Sequence, residues 1–157
     1  MRNIEEVADV RAVMLAGEGL HARNTEEMLL DLLETSPGNR MAFEYLMAHY
    51  LLVGHLEGIV VNVDRLAGLD YVTVPDHIGE ALLLVASRRQ TTIDLGGLAL
   101  SARTAERKKL MDQLSARFGP NRAGMFEAMR ADPVLAGSYF RYYLDTLPSF
   151  QTPSYEP

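Results

Sequence analysis

A chain of 157 residues, 48% of them apolar and 23% charged, is long enough to bury one core and short for two, so a single domain is the expectation. The 21 acidic residues outweigh the 15 basic ones, and the formal net charge of -6 repels a phosphate backbone on average, which argues against nucleic-acid binding. With no cysteine, disulfides, thiolate metal sites, iron–sulfur clusters and cysteine nucleophiles are excluded together.

The first predicted element is a helix over residues 3–18. Asn3 caps it, Glu5 and Glu6 occupy its first turn, Ile4, Val7, Val10, Met14 and Leu15 recur near helical spacing, and Gly17 or Gly19 ends it. Asn24 stands three residues before Glu27, a capping-box spacing that opens a second helix through Met28, Leu29, Leu32 and Leu33. Ser36-Pro37-Gly38-Asn39 breaks the chain, and Asn39 caps a third helix over 40–53 whose apolar stripe is Met41, Phe43, Leu46, Met47, Tyr50 and Leu51. Gly54 takes the C-cap position, and a fourth helix is predicted from His55 to Leu69, although its Ile59-Val60-Val61 run has weak intrinsic propensity.

An extended Tyr71–Val74 leads to Pro75 at a favoured first helical position, and that helix continues to about Gln90. Residues 91–100, with Gly96-Gly97, read as a connection. Ser101 caps a helix over 102–118 that Gly119-Pro120 ends, and Asn121 or Arg122 opens another to about Ala131. Asp132-Pro133 reads as a cap and first residue of a last helix through Phe140, Tyr143 and Leu144. The expected organisation is a helical domain over 1–147 and an extended proline and aromatic tail over 148–157.

None of these elements announces chemistry. His21, His49, His55 and His77 lack the i,i+3 or i,i+4 spacing of a helical metal site, and no metal, cofactor or catalytic residue is assigned. His77 and Glu80 share a helix face and read as a surface contact, while Arg88-Arg89 and Arg107-Lys108-Lys109 read as solvated helix faces. No cluster of convergent polar side chains marks a pocket. The longest apolar runs, such as Ala81 to Ala86, fall far short of the roughly 20 residues that cross a bilayer. Acidic residues at Glu5 and Glu6 stand where an export signal needs a basic region, which favours the cytoplasm. Tyr139, Phe140, Tyr142 and Tyr143 are too close together to face one core, so some aromatic surface is expected to need cover from the tail or a partner.

Pro37, Ala42-Phe43, Leu46, Tyr50, Gly54 and Leu56 resemble the tetratricopeptide pattern, a helix hairpin repeated about every 34 residues. Met47 and Ile59 depart from it where that family prefers small side chains. A second resemblance is to an uncharacterised bacterial family of unknown function, carried by Asn39 to Ala48, by Pro75 with Glu80-Ala81-Leu82-Leu83, and by Ser138 to Tyr143. Some of its members join such a region to a membrane-embedded part, so this likeness implies a fold and no activity. Together the two imply an all-α chain of about seven or eight helices, antiparallel hairpins in a right-handed array. The expected function is a protein-interaction or assembly module and not an enzyme. First-helix residues Arg40, Tyr45 and His49 are the expected contacts, with Tyr142 and Tyr155 as a second set. An accessory subunit docked on a membrane complex is the first alternative, and a small-ligand-binding domain or enzyme the second.

Overall fold

In the computed structural model, residues 22–146 are described. They form seven α-helices, one 3₁₀ helix and a two-stranded sheet, an all-α architecture in all but that small pairing. The chain divides into two compact units, residues 1–46 and 47–157, with the division falling inside one helix. Among the described residues no helix is long and apolar enough to cross a membrane. The helix predicted over 3–18 and the tail over 148–157 lie outside the described residues.

In the first unit, α1 (Ala22–Thr35) buries Leu29 and Leu33, and the start of α2 (Arg40–Val53) buries Ala42, Phe43 and Leu46. Asn24 falls inside α1 instead of preceding it, so the capping-box reading is corrected. Asn39 caps α2 as its sequence position requires: its side-chain oxygen accepts the Ala42 N–H at 3.0 Å, satisfying a donor that the first helical turn leaves free.

The second unit opens with the rest of α2 and its turn into α3 (Leu56–Asn62). Gly54 takes φ 71° and the His55 N–H reaches back to the Tyr50 carbonyl at 2.9 Å, a helix-ending bond that side chains with a Cβ reach only under strain. The predicted 55–69 helix is shorter than expected: after Asn62 the chain tightens into a 3₁₀ helix over Val63–Gly68. The Asn62 side chain is buried, donates to the Gly58 carbonyl at 2.9 Å and accepts from Arg65 Nε at 3.0 Å. Such local bonding competes with the helical ladder directly after a β-branched run.

Strands β1 (Thr73–Val74) and β2 (Ala99–Leu100) pair in parallel, Thr73 opposite Ala99 and Val74 opposite Leu100. Each leads straight into a helix, β1 into α4 (Asp76–Arg89) and β2 into α5 (Ala102–Phe118), so the pairing sets two helix starts beside each other. Pro75 is the residue before α4 and not its first, with ψ 140°, and its carbonyl accepts the Gly79 N–H. A Cβ on Gly79 would lie 3.1 Å from Leu100 Cδ2 and 3.2 Å from Thr104 Cγ2, so glycine lets α4 pack tightly there.

Val74, Ile78, Ala81, Leu82 and Val85 are buried in and beside α4, as are Ile59, Val63 and Leu66 from the preceding segment. A further cluster unites Leu114 of α5, Met129 of α6 (Arg122–Ala131), Leu135 and Phe140 of α7 (Tyr139–Thr146), with Leu110, Met111 and Met125 packed on it. The last helix thus begins six residues after the predicted Pro133. Asp132 accepts the Val134 N–H at 2.8 Å and closes a local turn, Gly137 sits at φ 73°, and Ser138 caps α7 through the Arg141 N–H at 3.2 Å.

Candidate functional site

The five expected contacts fall into different environments. In the first unit Tyr45 is 55% exposed and Met41, one turn earlier, 63%. Phe43 and Leu46, on the other side of the same helix, are fully buried, so the exposure of Tyr45 is a matter of helical phase and not of loose packing. Arg40 is also exposed, but its Nε is held by Glu44 Oε1 at 2.8 Å along the helix.

In the second unit His49 is half-buried, its ring 6.0 Å from that of Tyr50. Tyr142 is half-buried too. Its ring stacks on Tyr139 at 5.7 Å, and its hydroxyl donates to the Leu52 carbonyl at 3.1 Å, while the Tyr139 hydroxyl donates to the Leu51 carbonyl at 2.9 Å. These phenols add to the thin bonding of carbonyls at the end of α2, where the Leu51 carbonyl also accepts the Gly54 N–H at 3.4 Å. Burial pushes the Tyr139 phenol up in pKa. Tyr139, Phe140 and Tyr143 are buried, so the second unit itself covers most of the aromatic surface that the sequence leaves to a tail or partner. Tyr155 lies outside the described residues.

Sequence reading missed the polar assembly where α4, α5 and α7 begin. Asp76, in the first turn of α4, accepts from the Ser101 hydroxyl, from Thr104 Oγ1 at 3.3 Å and from Arg103 Nη1 at 3.5 Å. Ser101 in turn caps α5 by accepting the Thr104 N–H at 3.0 Å. The Ser101 hydrogen bond, helped by Arg103, holds the Asp76 carboxyl below its ordinary value. Two adjacent helix starts also favour a negative charge at this place.

One turn further along α4, Glu80 is fully buried. Its Oε1 accepts from Arg107 Nη1 at 2.7 Å, and its Oε2 accepts the Tyr139 backbone N–H, with His77 Nδ1 at 3.8 Å from the same oxygen. Arg107 also donates from Nε to the Val134 carbonyl at 2.9 Å and from Nη2 to the Ala136 carbonyl at 3.4 Å. The nearby Glu80 carboxylate raises the His77 pKa, against a lesser opposing effect of burial.

Two readings are corrected here. Arg107 does not belong to a solvated face, being only 8% exposed. The His77–Glu80 contact is exposed at the imidazole alone, because its carboxylate partner is inside. The available signal was Glu80 itself, a lone charge within the apolar run from Ile78 to Val85, which requires a buried partner. Nothing near Arg107 in the chain identifies that partner, because the two are 27 residues apart.

Through these bonds Glu80 and Arg107 fasten α4 and α5 to the 134–139 segment. Three surface grooves, on α1, along α5, and beside the end of α4, include neither His77 nor Glu80 in their walls. Among the described residues no group of three or more histidine, aspartate or glutamate side chains is placed to hold a metal ion.

Among curated proteins and among solved structures, no match to this chain is found. The model of a family of unknown function, DUF6057, matches residues 1–144, and the chain belongs to that family.

Proposed function

We propose that the chain is a protein-interaction or assembly module without catalytic chemistry of its own, and that Tyr45 is the anchor of its contact face. The observation that carries this reading is the 55% exposure of Tyr45, beside a Met41 exposed to 63%, on a helix whose opposite side is fully buried. Large aromatic and methionine side chains left in water on a rigid helix are what binding surfaces use as anchors. The resemblance of Pro37 to Leu56 to a tetratricopeptide hairpin supports it further, since such hairpins present first-helix side chains to their ligands.

Site-specific photo-crosslinking in the native host tests this. A photoreactive aromatic residue at position 45 should yield a discrete protein adduct, one at exposed position 109 should not, and Met41→Ala should diminish the adduct while leaving the melting temperature within about 2 °C. Equal labelling at positions 45 and 109, or none at either, would sink the proposal. An integral membrane protein in the adduct would make the chain an accessory subunit of a membrane complex.

A further inference from the structure

Glu80 Oε2 is shared between the first N–H of α7, at Tyr139, and the imidazole of His77. Its other oxygen faces Arg107, a permanent cation. Three groups around His77 bear charge: Glu80 and Asp76 on α4, and Arg107 on α5. Arg103, also on α5, is turned to Asp76, and α7 contributes the Tyr139 N–H. Imidazole is the side-chain type here whose ordinary pKa lies near neutral pH. It is well placed to change charge there, since its side chain is 57% exposed and protons reach it without the core opening.

We infer that His77 and Glu80 form a pH-governed clamp on the first turn of α7, closing when the imidazole gains a proton and easing when it loses it. Docked α7 keeps Glu80 dehydrated beside His77, where the carboxylate attracts the imidazolium more than it would in water. When α7 lifts, water enters around Glu80 and screens that attraction. The docked state therefore binds the proton more tightly than the lifted one, and by linkage the proton favours docking. The raised pKa of His77 agrees in sign: the contribution is complete below the ordinary value of 6.5 and is lost as the pH climbs through the raised one. What the clamp governs is the seating of Tyr139 and Tyr142, whose hydroxyls hold the Leu51 and Leu52 carbonyls at the end of α2.

Amide hydrogen exchange on the whole chain at pH 6 and pH 8, corrected for intrinsic rates, reads the clamp at the Tyr139 amide. The opening equilibrium there should be about two- to fivefold smaller at pH 6, the range expected of a half-exposed ion pair. His77→Gln, a change at a solvent-facing side chain, should remove that pH dependence. The Leu82 amide, inside α4, should show no matching change. An unchanged pH response in His77→Gln, a flat response in the wild type, or an equal response at Leu82 would each overturn the clamp.

Discussion

Arg107 joins three segments with one guanidinium, its Nη1 paired with the buried Glu80 carboxylate. Burying such a pair stabilises little by itself, because dehydration offsets the attraction, but removing one partner strands the other. Arg107→Met should therefore cost about 3–5 kcal/mol in urea unfolding, and Arg107→Met with Glu80→Met should recover most of that loss. Asp76 acts at the opposite end of the pH scale from His77. Its carboxyl is held below the ordinary 3.8, so its contribution is present above that value and disappears as the pH falls beneath it. Urea midpoints at pH 5 and pH 3 should fall more steeply in the wild type than in Asp76→Asn, whose amide has no charge to lose.

The α2–α3 hairpin depends on one absent side chain. A Cβ on Gly58 would lie 2.7 Å from the Tyr50 ring, which is itself fixed edge-on against His55 at a centroid distance of 5.1 Å. Gly58→Ala should cost about 1–3 kcal/mol, and Tyr50→Leu in the same chain should make the second change less than additive, as thermal unfolding of the double cycle would show. At this scale much was legible in the sequence. Asn39, Ser101 and Asn121 each cap the helix predicted to follow, because a cap is a local hydrogen bond between near neighbours in the chain. The start of α7 was not legible, since Asp132-Pro133 carries a cap signature that Asp132 instead spends on its own turn. Nor were the two-residue strands legible as a pair: Thr73–Val74 reads as extended, but its partner Ala99–Leu100 is too short for a period, and only the fold brings them together.

For the whole chain, an excess of acidic over basic residues predicts no retention of the protein on immobilised duplex DNA in a filter or column assay at about 50 mM salt, where a basic binder would be held firmly. The exposure of Tyr45 agrees with its place off the apolar stripe of its helix, whereas the α4–α5–α7 polar assembly needs contacts between residues up to 59 positions apart, which no local pattern encodes. The β1–β2 pairing has a practical corollary for anyone handling this protein. It pins the end of the connection that returns to α5, and the Thr91 N–H, bonded to the Ala86 carbonyl at 3.2 Å, ties down the end that leaves α4, while Gly96 and Gly97 between them are exposed and already sit at φ 62° and 82°. Lengthening a loop whose ends are fixed adds only logarithmically to its closure entropy. The peptide bond between those two glycines is accordingly a place to splice in an epitope or a fluorescent reporter, leaving both chain termini free.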